Sequence, residues 1–259
     1  MKLIAGPCVI EDEKITMSIA RKLKKNLDPE IDFYFKASFK KANRTSIKSF
    51  TGIPYEESIA ILKKIKETLH LKVCTDIHEI LDLAELDFID VIQIPAFLCR
   101  QTDLIIAAGK TGKIVNIKKG QFMSPEAMSF SVEKALYSGA SEVWVTERGT
   151  TFGYNDLVVD ATSIPRIKTS CGCVAIMDAT HSLQKPNQTS GITHGSDKSL
   201  SRILMRQAVV SGADGIFMEV HTSPNESLSD KETILQIDKG IKWANEAYKI
   251  SKLLKNQID

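Results

Sequence analysis

Eight short runs rich in β-branched and aromatic residues recur along the chain, and the stretches between them carry apolar residues at helical spacing. The runs are Lys2–Ala5, Phe33–Ala37, Lys72–Thr75, Val91–Ile94, Ile114–Lys118, Glu142–Thr146, Val174–Asp178 and Gly215–Val220. The helical spacing is clearest at Ile15, Ile19 and Leu23, at Ile59, Leu62, Ile65 and Leu69, and at Leu200, Ile203, Leu204 and Ala208. Ser124-Pro125-Glu126 places a cap residue before a proline at a first helical position, and Gly139 and Ser211-Gly212 stand where helices should stop. Strand-then-helix alternation predicts a parallel sheet with right-handed crossovers, because parallel neighbours need a long return connection. Eight such units close naturally into an α/β (β/α)₈ TIM barrel, with an open doubly wound sheet as the alternative. A helical tail is expected over roughly 231–255. With no internal linker or low-complexity segment, residues 1–259 are expected to form one catalytic domain.

Composition narrows the function. A net charge of +2 is too near balance for a general nucleic-acid binder. No apolar stretch approaches the roughly 20 residues that span a bilayer, and the start reaches Gly6-Pro7 too soon for a signal peptide's apolar core. Five scattered cysteines do not suggest a secreted disulfide framework, so the cytoplasm is the expected compartment. Gly109-Lys110-Thr111 lacks the earlier glycine of a phosphate-binding loop and precedes a strand instead of following one.

In a parallel barrel the chemistry lies at the carboxyl ends of the strands. Polar residues crowd those ends here: Cys8 and Glu11, Lys36 and Ser38, Thr75, Asp76 and His78, Gln93 and Arg100, Asn116 and Lys118, Glu147 and Arg148, Asp178 and His181, Glu219 and His221. Closure makes the first strand a neighbour of the eighth, and the eighth a neighbour of the seventh. Cys8, His181 and Glu219 should therefore converge, with Asp230 in reach from the following loop. A single cysteine beside a strand is most often a small buried hydrophobe. A thiolate, an imidazole and two carboxylates together suit a divalent ion such as Zn²⁺ or Fe²⁺. Lys36, Lys41, Arg44, Arg100, Lys118 and Arg148 form a cationic counterpart suited to a small, multiply anionic substrate. The alternative is that Lys40-Lys41 and Lys118-Lys119 are solvated surface pairs. Cys171-Gly172-Cys173 is a weaker metal candidate, and Cys74 and Cys99 are expected to be structural.

Several longer segments carry a family resemblance. They are Ala5-Gly6-Pro7-Cys8-Val9-Ile10-Glu11, the run from Phe35 to Ser46 with its Lys41-Ala42-Asn43-Arg44, and the run from Gln93 to Leu104. Asn116-Ile117-Lys118-Lys119-Gly120-Gln121-Phe122, Thr146-Glu147-Arg148-Gly149, Phe152-Gly153-Tyr154, the run from Asp178 to Gln184, and Phe217-Met218-Glu219-Val220-His221 follow in order. Together they resemble the 3-deoxy-D-manno-octulosonate 8-phosphate synthase family from Leu3 to about Asp230. The resemblance implies a homotetrameric barrel enzyme, a transferase that condenses phosphoenolpyruvate with D-arabinose 5-phosphate and releases phosphate. The product feeds the lipopolysaccharide inner core. Cys8 in the first motif implies the metal-dependent branch, holding a divalent ion (Zn, Fe or Mn). By the same resemblance Cys8, His181, Glu219 and Asp230 are the metal ligands. Lys36, Lys41, Gln93, Ala96, Lys118, Arg148 and His181 surround phosphoenolpyruvate, and Asn43, Arg44, Thr45, Asp76 and Gln184 serve the sugar phosphate. Lys41, His181 and Asp230 are the expected catalytic groups. Two stretches depart from the family's pattern. His194-Gly195-Ser196-Asp197-Lys198 stands where Ser-Gly-Gly and a basic pair are usual, and Lys231-Glu232 follows Ser229-Asp230 where Gly-Pro is usual. A related synthase acting on erythrose 4-phosphate and a non-catalytic sugar-phosphate or metal-binding barrel are the rival expectations.

Overall fold

The computed structural model describes residues 1–44, 46–185 and 197–255. Eight parallel strands run β1 (Lys2–Gly6), β2 (Asp32–Lys36), β3 (Lys72–Asp76), β4 (Val91–Ile94), β5 (Ile114–Lys118), β6 (Glu142–Glu147), β9 (Val174–Asp178) and β10 (Gly215–His221), and β10 pairs back onto β1. The sheet is thus the closed barrel expected from the strand count, not an open doubly wound sheet. The closing register sets Gly6 opposite Glu219, while Phe217 lies opposite Asp178 on the other flank of β10. That register brings the segments that follow the first and last barrel strands to one rim.

Helices α1 (Glu13–Asn26), α2 (Tyr55–Leu69), α3 (Thr102–Lys110), α4 (Ser129–Tyr137), α5 (Ser163–Cys171), α6 (Leu200–Val210) and α7 (Ile237–Lys255) surround the sheet. Local chemistry fixes their ends. Asp12 accepts from Ile15 N at 2.7 Å, and acidic Glu13 and basic Lys24 and Lys25 sit at the favourable poles of α1. Ser124 Oγ accepts from Ala127 N at 3.2 Å and starts the turn that leads into α4. The third crossover departs from the alternating pattern. Only a 3₁₀ turn, Ile80–Glu85, fits into the short connection between β3 and β4. Two further features had no counterpart in the sequence reading. An exposed hairpin, β7 (Thr150–Phe152) with β8 (Asp156–Val158), follows β6, and a two-residue strand, β11 (Leu235–Gln236), pairs with β10. As a result the final helix begins at Ile237 and not near Lys231.

The core has two parts. A large apolar layer between sheet and helices includes Leu3, Ile19, Phe35, Leu62, Ile92, Val145 and Met218. A smaller cluster of Ile4, Tyr34, Cys74, Val91, Trp144, Ile176 and Phe217 fills the barrel interior, with the Tyr34 and Trp144 rings edge to face at 5.0 Å. Gly6 is needed where β1 meets β2, because a Cβ there would overlap the Lys36 carbonyl. The interior plug closes one end and leaves polar side chains to line the other.

Candidate active site

The polar rim is built from strand ends. Cys8 follows β1, Glu219 lies on β10, and Asp230 stands in the loop between β10 and β11. One potential ligand atom from each lies within 4.8 Å of the others, a group that could hold a metal ion. Cys8 Sγ donates to Asp230 Oδ2 at 2.9 Å and lies 2.8 Å from Ser229 Oγ. His181, in the turn after β9, directs Nε2 to within 3.4 Å of Glu219 Oε2 and 3.9 Å of Asp230 Oδ2. Its Nδ1 lies 2.8 Å from Asp178 Oδ2. A carboxylate there places the proton on Nδ1 and leaves the Nε2 lone pair for a ligand, the usual arrangement behind a metal-bound histidine.

The donor set fits a divalent ion on a second ground. Glu219 Oε2 is buried and has no hydrogen-bond partner, although it faces His181 Nε2. A buried carboxylate oxygen left without a donor is costly unless a cation meets it. Burial pushes the Cys8 thiol well above its ordinary range, and the nearby Asp230 and Glu219 carboxylates push it further. A bound cation would reverse that, because thiolate is the ligating form. Asp230 is held at φ +49°, a left-handed backbone that only a well-fixed non-glycine residue adopts.

Opposite the donor set lies a wall of buried cations. Lys36, 1% exposed, donates to Ser38 Oγ at 2.8 Å, Cys8 O at 3.2 Å and Glu219 Oε1 at 3.1 Å. Burial disfavours its charge, but Asp76 and Glu219 outweigh that and hold its pKa above the ordinary lysine value. Lys41 Nζ sits 4.0 Å from both Asp76 Oδ2 and Glu219 Oε1. Burial again opposes its charge, and Cys8, Glu219 and Asp76 more than offset it. Lys118 pairs with Asp178 and lies over the Phe217 ring at 3.3 Å, and burial lowers its pKa despite the carboxylate. Arg148 donates to Gln184 Oε1 at 2.6 Å and to His181 O at 3.1 Å.

Neutral groups lock these charges into one network. Thr146 Oγ1 donates to Asn116 Oδ1 at 2.7 Å, Asn116 Nδ2 to Gln93 Oε1 at 2.9 Å, Gln93 Nε2 to Asp76, and Ser38 Oγ to Asp76. The chain of bonds crosses β6, β5, β4, β3 and the end of β2 in order and meets the donor set at Lys36 and Glu219. Burial would raise the Asp76 pKa, but Lys36 and Lys41 pull it well below the carboxylate range.

The other expected residues fall around this centre. Arg44 Nη1 lies 3.8 Å from Asp230 Oδ1, its Nη2 meets Ser229 Oγ, and its Nε donates to Phe50 O at 3.2 Å. Gln184 Nε2 donates to Asp230 Oδ1 at 3.4 Å. Ala96 opens a half-exposed turn after β4, and Asn43 and Arg100 are exposed. Thr45 and the 194–196 stretch lie outside the described residues. Lys118 and Lys119 are not a solvated pair. Lys119 is fully buried, 3.3 Å from Glu147 Oε1, and ties down the Gly120, Met123 and Gly149 carbonyls. Ser229 and the supporting role of Asp178 were missed. The spacing of Asp178 and His181, three residues apart at a strand end, was the available signal for the latter.

Among the described residues no helix is long and apolar enough to cross a membrane. A family model described as DAHP synthetase I family matches residues 1–256. Curated relatives named 2-dehydro-3-deoxyphosphooctonate aldolase include one from Helicobacter hepaticus, 44% identical over 99% of this chain and 99% of its own length. Another, from Syntrophotalea carbinolica, is 43% identical over 99% of this chain and 93% of its own. A third, from Wolinella succinogenes, is 48% identical over 89% of this chain and 91% of its own. A match of this extent to the family model, joined to a closed barrel with its polar rim intact, makes the chain a member of the DAHP synthetase I family.

Proposed function

We propose that the chain condenses phosphoenolpyruvate with D-arabinose 5-phosphate to give 3-deoxy-D-manno-octulosonate 8-phosphate and inorganic phosphate, for the lipopolysaccharide inner core. The names of its relatives denote this same octulosonate phosphate. One observation carries the reading. Glu219 is shared between the two halves of the rim, its Oε1 accepting from Lys36 while its unpartnered Oε2 faces His181. A cation-binding set and an anion-binding wall are thereby held within one side chain's reach of each other.

Lys36, Lys41, Gln93, Ala96, Lys118, Arg148 and His181 would surround phosphoenolpyruvate, with Lys and Arg groups meeting its carboxylate and phosphate. Asn43, Arg44, Thr45, Asp76 and Gln184 would take the sugar phosphate. Fixed cations offset the repulsion between two anionic substrates, so positioning supplies much of the rate. C3 of phosphoenolpyruvate bonds to the aldehyde carbon, water adds at C2, and phosphate leaves with its bridging oxygen as the C2 ketone forms. Lys41, kept protonated by its acidic neighbours, is placed to protonate the alkoxide that the aldehyde becomes. Cys8, His181, Glu219 and Asp230 would hold a divalent ion (Zn, Fe or Mn), with His181 and Asp230 also handling protons beside it. When bound, such an ion supplies Lewis-acid polarisation of a carbonyl or a water.

The whole chain acts as one catalytic domain in the cytoplasm. A homotetramer is the assembly we favour. Phe97, Phe122, Phe152 and Tyr154 are all more than half exposed and stand on the successive loops after β4, β5 and β6, where a second copy would cover them. The deciding measurement is phosphate release from phosphoenolpyruvate with arabinose 5-phosphate or erythrose 4-phosphate, before and after chelation. Release that requires arabinose 5-phosphate and stops on chelation is expected. Release only with erythrose 4-phosphate would overturn the substrate, and release indifferent to chelation would overturn the metal.

A further inference from the structure

The metal reading leaves one buried carboxylate without a task. Glu11 stands three residues after Cys8, and its side chain is 7% exposed. It is not part of the donor group. Its Oε1 instead accepts from Leu228 N at 2.9 Å and lies 3.1 Å from Ser227 Oγ. Its Oε2 is 3.7 Å from His221 Nε2, a buried nitrogen with no hydrogen-bond partner. His221 Nδ1 accepts from Ser223 N at 3.0 Å, so the proton of the neutral ring is on Nε2, facing Glu11.

These contacts converge on one short span. Ser227 Oγ also reaches Ser229 O at 2.7 Å, and the next residue is Asp230 in its left-handed conformation. On the far side Thr233 N and Ile234 N both bond to Asp230 O at 2.9 Å. The Asp230 carbonyl is therefore held by its own loop, and the residues just before it, Ser227 and Leu228, are held by Glu11. The segment that carries Glu11 is itself anchored, with Ile10 N bonded to Ser38 O at 3.0 Å and Val9 bridged to Ser38. One stretch of backbone delivers a thiol to the rim and hooks the loop that delivers the opposing carboxylate.

We infer that Glu11 is a positioning residue, which fixes the 227–230 loop so that Asp230 meets the ion beside Cys8. The inference rests on the metal reading above. The hook works through the reach of its acceptor oxygen, not through its charge. Glu11→Gln keeps an acceptor at the same distance, whereas Glu11→Asp keeps the charge and falls one methylene short of Leu228 N.

The test is Co²⁺ titration of the metal-free full-length protein, following the d–d bands and the thiolate charge-transfer band. Glu11→Asp should weaken Co²⁺ by about 10- to 100-fold, the usual cost of losing a group that orients a ligand, while the thiolate band persists. Glu11→Gln keeps the acceptor for Leu228 N but turns its amide N–H groups towards the His221 N–H, so it should bind more weakly than wild type and clearly more tightly than Glu11→Asp. In an Asp230→Ala background, Glu11→Asp should add less than about twofold, because its target is already gone. Wild-type affinity in Glu11→Asp, equal weakening in Glu11→Gln, or multiplying effects with Asp230→Ala would each overturn the inference. Unchanged affinity and band in Cys8→Ala would instead overturn the metal reading, and the inference with it.

Discussion

Replacing Asp178 with asparagine probes the hinge between the two halves of the site. The carboxylate is fully buried and accepts from Thr180 N at 3.0 Å, His181 N at 2.8 Å, His181 Nδ1 at 2.8 Å and the Lys118 ammonium. Asparagine can still accept the two backbone bonds, so the turn after β9 should survive. What is lost is the counter-ion of a buried lysine, and breaking a buried pair costs about 3–5 kcal/mol. Because the backbone bonds remain, the lower end, about 3 kcal/mol, is expected. The amide can also donate to His181 Nδ1, which moves the ring proton to Nε2 and removes the lone pair that faces Glu219. Loss of such an orienting group weakens metal by about 10- to 100-fold, or about 1.4–2.7 kcal/mol. Burial already lowers the Lys118 pKa with Asp178 in place, so without it the ammonium should be lost as pH rises and KM for phosphoenolpyruvate should climb with it. Urea unfolding, Co²⁺ titration and KM across pH read the three effects separately. Wild-type metal affinity together with unchanged stability would refute the reasoning.

Metal loading should release protons. Burial and the Asp230 and Glu219 carboxylates raise the Cys8 thiol, and the His181 pKa is raised because Asp178 and Glu219 outweigh its burial. At about pH 6.5, calorimetry in buffers of different ionisation enthalpy should therefore register roughly one and a half protons or more per ion, and affinity should rise with pH. Release of none would mean that Cys8 is not a ligand. Gly6→Ala should cost at least about 2 kcal/mol, read as a lower urea midpoint at constant slope, because its Cβ meets the Lys36 carbonyl. The metal-free protein should also lose stability at both ends of the pH range. Burial is outweighed by His181 and Lys36 at Glu219 and by Lys36 and Lys41 at Asp76, so both pKa values are depressed. Their stabilisation is present above about pH 4 and fades as pH falls towards the folded values. The raised Cys8 thiol works the other way, with stability lost above about pH 8.5, and Cys8→Ala should shrink that alkaline limb, leaving the part due to the buried Cys74 and Cys99 thiols.

The barrel was legible because its strands are buried runs of strand-forming residues and its crossovers have helical spacing, two periods that do not imitate each other. From closure alone the meeting of Cys8 with Glu219 could be expected, because pairing of the first and last strands is a topological fact and not a side-chain preference. Asp230 was harder. Its position depends on a positive-φ backbone, on Ser229 and on the short strand β11, and none of these has a periodic signature. The missing helix between β3 and β4 and the exposed hairpin after β6 were illegible for a similar reason, since both are set by connection length and turn geometry. Lys119 shows the opposite difficulty. A lysine pair usually signals solvent, and only the three-dimensional placement of Glu147 and three carbonyl groups makes a fully buried ammonium tolerable.

The bond between Cys8 and Asp230 spans 222 positions of sequence. During synthesis the thiol emerges first and waits about 10–40 s, at ordinary elongation rates, before its last companion is made. Until β10 docks against β1, Cys8 stands without the Glu219 and Asp230 carboxylates that complete its donor group. A divalent ion at this site would thereby be captured only late in folding, once both ends of the sequence have met across the closing seam of the barrel.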